Sequence, residues 1–122
     1  MIEIIPESHD NVLGYRASGK LIESDYEEIM IPGIEAVIKE YDNVNFLFYL
    51  DDEFKGWKTG ALVDDIKLGL SKIMNGINKF AMVGGPKWVQ WGMKLDNLII
   101  RGKVKIFTVD QIDEAWDWLN EE

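Results

Sequence analysis

The chain has 122 residues, a formal net charge of −9 at neutral pH and 47% hydrophobic residues. These values predict one folded domain with its own core and exclude a disordered chain. The lack of cysteine excludes disulfides, thiolate nucleophiles and cysteine-ligated metals. Because an acidic surface repels phosphate, we expect no nucleic-acid partner.

The N-terminal segment, residues 1–7, has neither a basic region nor a long apolar stretch, so we predict no secretory signal. The longest apolar run covers residues 46–50, which is far shorter than the ~20 residues that cross a bilayer. A chain without cysteine also suits a reducing compartment. We therefore predict a cytoplasmic protein.

The first two predicted strands cover residues 3–7 and 12–20, and the short connection between them makes the pair an antiparallel hairpin. His9, the only histidine, lies in that connection, on the side of the domain opposite the loops that follow the later strands. We interpret His9 as a turn residue. Histidine-based metal sites and histidine-activated nucleophiles are therefore excluded.

A helix should follow the hairpin, because Ser24 and Glu27 have the spacing of a capping box. Apolar residues then recur at helical spacing as far as Tyr41. Pro32 lies inside this run, where it removes a hydrogen bond and clashes with the preceding turn. We expect a kink or a restart of the helix near Met30.

Three more apolar runs predict strands at residues 45–50, 80–83 and 103–108, with amphipathic helices between them. Each of the first two strands ends in a glycine-containing loop, and each loop leads into a helix that begins near a tryptophan. Strands that alternate with helices predict an α/β fold: a mixed, mostly parallel, five-stranded sheet with right-handed crossovers. The less apolar second face of these strands predicts that most helices pack on one face and leave the other partly open.

The last helix completes the predicted fold. Asp110 is placed to cap it, and Ile112, Ala115, Trp116 and Leu119 form its inward stripe. Trp118 should cover the flank of this helix. No internal repeat or linker divides the chain, which predicts a single domain over residues 1–122.

Several segments, in order and at similar spacing, resemble the SpoIIAA-like family, a branch of the STAS-domain fold. They are Gly19-Lys20-Leu21, Asp25-Tyr26, Pro32, residues 51–54, Gly56-Trp57, Gly60-Ala61-Leu62 with Asp65 and Lys67, residues 80–84, Lys87-Trp88, Ile106-Phe107, Glu114-Ala115 and Trp118-Leu119. The resemblance covers nearly the full length. It implies a superhelix of strand–helix turns around a mixed sheet, in a family whose biochemical role is largely unassigned.

Two kinds of functional relative share that fold. Anti-sigma-factor antagonists bind a partner kinase and are switched by serine phosphorylation, whereas CRAL-TRIO domains hold an apolar ligand between helices and sheet. In the antagonists the phosphorylated serine lies at the helix start after the middle strand. Here that region has no serine, Thr59 is its only hydroxyl, and three acidic residues would repel a phosphate. The phosphoserine switch is therefore not carried over.

Asp51, Asp52 and Glu53 follow the middle strand. They could supply a general base or bind a cation. They could instead form a solvated loop whose charges favour a nearby helix N-terminus, which is the interpretation we prefer. An enzyme would rest on Asp51, Asp52 and Asp65 alone. We therefore predict no catalytic residue, no metal and no cofactor.

Residues 84–87 form a second loop, Gly-Gly-Pro-Lys, at a predicted helix N-terminus. Exposed amides and Lys87 could hold a phosphate or a carboxylate there. The loop lacks both the P-loop spacing and the dinucleotide pattern. The alternative is a strand-to-helix turn that needs a positive φ, which glycine adopts easily.

Aromatic residues at the two strand-to-helix loops indicate a binding site more specifically than the acidic residues or the glycine-containing loop do. Their rings could pack locally between helices, or they could line an apolar pocket or a docking patch for a protein or membrane. The predicted ligand-binding residues are Phe54, Gly56, Trp57, Gly84, Lys87, Trp88 and Trp91. Weaker contacts to a partner or anion are predicted at Asp51, Lys55, Lys58 and Thr59.

The sequence thus predicts a non-catalytic binding domain for a small apolar or amphipathic, lipid-like ligand. Movement of the helix at Trp57, hinged at Gly56 and Gly60, would admit the ligand. The alternative is a STAS-type protein-interaction module that uses the open sheet face or the same loop edge. Peripheral contact with a membrane and a homodimer through the open face are compatible with both hypotheses.

Overall fold

A computed structural model describes residues 1–22, 24–57, 76–84 and 103–121. Seven strands are present in these ranges: β1 Ile2–Ile4, β2 Val12–Ala17, β3 Lys20–Leu21, β4 Val44–Leu50, β5 Gly56–Trp57, β6 Ile77–Gly84 and β7 Lys103–Phe107.

Five of these strands form the main sheet, in the order β1-β2-β4-β6-β7. β1 and β2 pair antiparallel, and every other neighbouring pair in this sheet is parallel. Apolar runs such as the one in β4 form these central strands because both of their faces are covered. The structure confirms the predicted mixed, mostly parallel, five-stranded sheet with an N-terminal hairpin.

The hairpin connection contains His9, as predicted. The amide of His9 donates to the carbonyl of Val12 at 2.9 Å, and its ring Nδ1 lies 2.9 Å from the carbonyl of Glu7. Both contacts are local to the turn. His9 lies before the start of β2, at the amino edge of the parallel strands, away from the loops that follow β4 and β6.

The first helical segment changes type at the predicted point. A π-helix, Asp25–Met30, passes directly into helix α1, Ile31–Tyr41. Pro32 occupies the first turn of α1, where its fixed φ suits the helix. The predicted restart near Met30 is confirmed.

The last helix, α2, covers Ile112–Asn120 and follows a short 3₁₀ turn, Val109–Gln111. Two details of its prediction are wrong. Thr108 caps the segment by a reciprocal capping box with Gln111, because Asp110 already lies inside the first turn. Trp118 is 7% exposed and packs in the core, whereas Trp116 is only half-buried. The inward face follows the helical spacing of Ala115, Trp118 and Leu119.

Each face of the sheet has its own core. On one face the rings of Tyr15, Phe46 and Phe80 pack edge to face beneath Ile34 of α1. On the other face Leu47, Ala81 and Val83 pack against α2. The two described α-helices therefore lie on opposite faces.

The first of the two middle helices was predicted to start at Trp57 and to carry an apolar stripe from Leu62 to Ile77; Ile77 instead begins β6, so this end of the stripe is wrong. Residues 58–75 and the helix predicted after Pro86 lie outside the described residues. The prediction that most helices share one face therefore stays a prediction. None of the helices in the described ranges is long and apolar enough to cross a membrane.

Candidate functional site: a groove beside the carboxyl edge of the sheet

Asp51 immediately follows β4 and is buried, contrary to the interpretation of residues 51–53 as a solvated loop. Arg16 donates through Nε to Asp51 Oδ2 at 2.8 Å, and the amide of Glu53 donates to Oδ1 at 3.0 Å. Burial alone raises the pKa of the Asp51 carboxyl, but these hydrogen bonds and the Arg16 charge hold it below its usual range. Asp51 is thus an ionised structural residue, while Asp52 and Glu53 are exposed.

Backbone hydrogen bonds join the segment after Asp51 to the turn between β2 and β3. Gly19 donates to the carbonyl of Glu53 at 3.0 Å, and Lys55 donates to the carbonyl of Gly19 at 2.8 Å. β5 then pairs in parallel with β3. The predicted helix start at Trp57 is therefore wrong, because the backbone of Gly56 and Trp57 pairs with a strand.

Only some of the aromatic residues predicted to bind a ligand at the strand-to-helix loops lie within the described residues. Phe54 is 7% exposed and lies in the α1-face core, because the chain turns at Asp51 and brings the ring back inward. Lys55 is exposed. Five other predicted contacts lie outside the described residues, so their roles stay predictions: Lys58, Thr59, Lys87, Trp88 and Trp91.

Gly84 ends β6 with φ at +74°, which is the positive φ that the predicted strand-to-helix turn needs. A Cβ added there would lie 2.6 Å from the carbonyl oxygen of Leu50, at the end of the neighbouring strand. Gly84 thus allows two strands to approach each other closely at the carboxyl edge.

A groove of about 300 Å³ lies on the α2 face, beside this edge. Arg16 and Tyr49 form its floor as register partners on β2 and β4, with the Arg16 guanidinium carbon 6.0 Å from the centre of the Tyr49 ring. Residues 3–7 of the hairpin form one wall. The other wall comes from the first turns of α2, through Ile112, Asp113 and Trp116.

Gly14, in the middle of β2, determines where the Trp116 ring lies. A Cβ on Gly14 would lie 2.5 Å from Cη2 of Trp116, so only glycine lets the indole rest on the strand. The amide of Ile5 donates to the carbonyl of Gly14 at 2.9 Å, which brings the hairpin wall beside the same residue. Gly14 therefore allows both walls to approach the strand.

Polar contacts at the amino edge of the sheet hold the far end of α2. Lys79 donates through Nζ to the carbonyls of Trp118 and Glu121, at 2.8 and 2.9 Å. The buried Asn45 donates to the carbonyl of Leu119 at 2.8 Å and accepts from Asn78 at 3.0 Å. Because these bonds satisfy carbonyls that a helix end leaves free, they fix the helix that forms the second wall.

The groove is lined by more acidic than basic side chains. Glu3, Glu7 and Asp113 line it and are exposed. None of the three forms an ion pair with another residue in the described ranges. Arg16 is half-exposed but already paired with Asp51.

This arrangement is suited to binding. In the described part of the chain, no group of three or more His, Cys, Asp or Glu residues could hold a metal ion. The sequence prediction missed Arg16, Tyr49 and Trp116. Two signals point to them: a glycine inside a strand often marks a close approach, and Arg16 is a lone charge in an apolar strand.

Comparisons with known proteins agree with the described architecture. The SpoIIAA-like family model matches residues 12–120. An uncharacterized protein of the DUF3478 family with a SpoIIAA-like fold, from Shewanella loihica PV-4, is 30% identical in sequence. The comparison covers 98% of this chain and 92% of that chain, with a TM-score of 0.68. No match was found among curated proteins.

Proposed function

The chain belongs to the SpoIIAA-like family, and from that premise we propose that it is a non-catalytic binding domain that takes a small amphipathic ligand into the groove. The observation that supports the proposal is the composition of the groove. It combines apolar side chains of the hairpin and α2 with two aromatic rings and a few charged groups, as ligand sites commonly do.

The size of the groove limits the ligand. Its volume of about 300 Å³ lies at the lower end of small-molecule sites. A short amphiphile, or the end of a longer lipid-like molecule, matches that volume. Ile5 lies on the hairpin wall with its side chain on the α2 face and is half-buried, so apolar contact with a ligand would remove the rest of this side chain from water.

The hydrogen bonds and the lowered pKa of Asp51 support a non-catalytic role for the protein. A general base needs access to the substrate and a pKa near the working pH. The carboxylate of Asp51 is instead held by Arg16 and the Glu53 amide, with its pKa lowered. An enzymatic role would therefore require residues other than this buried carboxylate.

Native mass spectrometry on gently purified protein tests the proposal, together with amide NMR spectra recorded during titration with short-chain amphiphiles. We expect a ligand-bound mass, and shifts that cluster on Arg16, Tyr49 and Trp116. A mass without ligand and no shifts with any amphiphile would reject the proposal. A stoichiometric co-purified protein would instead support the STAS-type interaction module.

A matched pair of variants locates the ligand. Ile5→Ala removes apolar surface from the groove wall, and we expect roughly three- to tenfold weaker binding of a hexyl amphiphile. Ile22→Ala is the control, because Ile22 is 42% exposed and does not line the groove. Equal loss in both variants would show that the amphiphile binds elsewhere.

A further inference from the structure

We infer that the groove selects a cationic amphiphile, an amine or a quaternary ammonium attached to an apolar group. This inference rests on the proposed function and adds the sign of the ligand charge to it. It depends on three features of the groove: its charge balance, the faces of its rings and the partner of its single arginine.

Arg16 is the only cationic side chain among the described residues that line the groove. Its charge is offset by Asp51, which lies 2.8 Å from Nε and is fully buried. The other charged lining residues are the exposed carboxylates of Glu3, Glu7 and Asp113. A ligand therefore meets a negative field within a protein whose net charge is −9.

The Trp116 ring adds an attraction of the same sign, whereas the Tyr49 ring already has the Arg16 guanidinium carbon 6.0 Å from its centre. The negative face of an indole or phenol ring attracts cations, most strongly for tryptophan. The opposite end of α2 shows this contact within the protein, since the ammonium groups of Lys79 and Lys105 lie 5.5 and 5.1 Å from the centre of the Trp118 ring. In the described ranges no such cation lies over Trp116, whose ring borders the groove.

An anionic ligand would face two penalties. It would approach Arg16 past three carboxylates, at distances where like charges repel. Asp51 also occupies Nε and offsets the guanidinium charge, so an anion that reaches Nη1 or Nη2 meets an ion pair that is already nearly neutral. Both effects favour a cation.

Three probes with the same hexyl chain separate charge from apolar binding: hexyltrimethylammonium, hexanol and hexanoate. We expect the cation to bind at least roughly tenfold more tightly than hexanoate at low ionic strength, with hexanol between them. Added salt should narrow that difference. Equal affinities, or tighter binding of hexanoate, would overturn the inference.

Two neutralising variants test whether the groove carboxylates are responsible. Glu7→Gln and Asp113→Asn should each weaken hexyltrimethylammonium by roughly two- to fivefold and leave hexanol unchanged. Asp117→Asn is the matched control, because it removes the same charge from the same helix at an exposed position outside the groove. An equal effect in the control would assign the preference to net charge and overturn the inference.

These outcomes distinguish the two proposals. If none of the three probes binds, the proposed function fails and the inference fails with it. If hexanol and hexanoate bind in the groove as tightly as the cation, the proposed function stands and only the charge preference is rejected.

Discussion

At the scale of single residues, an ion pair between Arg16 and Asp51 joins two elements at the carboxyl edge. The two residues are 35 positions apart and come together because β2 and β4 are parallel neighbours. Asp51 also accepts from the amide of Glu53 and so holds the start of the following loop. One carboxylate thus joins the floor of the groove to the loop that leads to β5.

Asp51→Asn tests this role, and we expect it to lower the free energy of unfolding at neutral pH by about 1–3 kcal/mol, because Arg16 and the Glu53 amide lose their charged acceptor. In the folded protein the pKa of Asp51 lies below its ordinary value. Its contribution to stability is therefore complete above the ordinary value of about 3.9 and is lost as the pH falls toward the folded value.

Urea unfolding of the wild type and of Asp51→Asn across that acidic range provides the measurement. The difference in stability between the two proteins should shrink as the pH falls. Asp52→Asn is the control, because it removes the same charge from an exposed neighbour and should change little. If both variants lose the same stability, the buried pair does not stabilise the fold.

Comparing two glycines with positive φ distinguishes the cost of backbone strain from the cost of a steric clash when each is changed to alanine. Gly84, at +74°, would place a Cβ 2.6 Å from the Leu50 carbonyl oxygen, whereas Gly19, at +66°, would place one in open space. Gly19→Ala should cost about 1–2 kcal/mol from the left-handed conformation alone. Gly84→Ala should cost clearly more in urea unfolding, and equal costs would contradict the close approach of β4 and β6.

At the scale of elements, α2 is positioned by contacts at both of its ends. Lys79 and Asn45 hold its last carbonyls, and Gly14 admits Trp116 near its start. The wall of the groove therefore depends on residues of β2, β4 and β6. Exposed Trp116 surface faces the groove only because Trp118, two positions on, turns into the core.

Gly14→Ala should destabilise the protein by about 1–3 kcal/mol, because the new methyl group overlaps the Trp116 ring. The same substitution should cost much less in a Trp116→Ala background, where the ring is absent. A double-mutant cycle from urea unfolding measures the difference. If Gly14→Ala costs the same in both backgrounds, the indole is not the group that it meets.

At the scale of the whole molecule, the sheet separates two cores, and within the described part of the chain the groove lies where α2 leaves part of its face uncovered. Family membership describes this architecture but does not assign a ligand, because one fold supports many functions. The net charge of −9 acts over the whole surface and favours the approach of cations. Selection among them depends on the local rings and carboxylates of the groove.

The sequence predicted the five strands of the main sheet, the hairpin and the helix restart near Met30 because each leaves a local pattern. Apolar runs mark buried strands. A proline within a helical pattern marks the start of a new helix, because the first turn of a helix tolerates proline. It did not predict β5 or the burial of Phe54, because both depend on the turn at Gly19, more than thirty residues away in the chain.

Local pattern by itself therefore determined the family resemblance, the order of strands and helices along the chain, and a non-catalytic interpretation based on one histidine and no cysteine. Only the tertiary structure decided which charges pair and which tryptophan is buried. It also showed where a groove is left open. The physical reason is that periodicity is set by neighbours along the chain, whereas burial and pairing are set by residues that the fold brings together from distant positions.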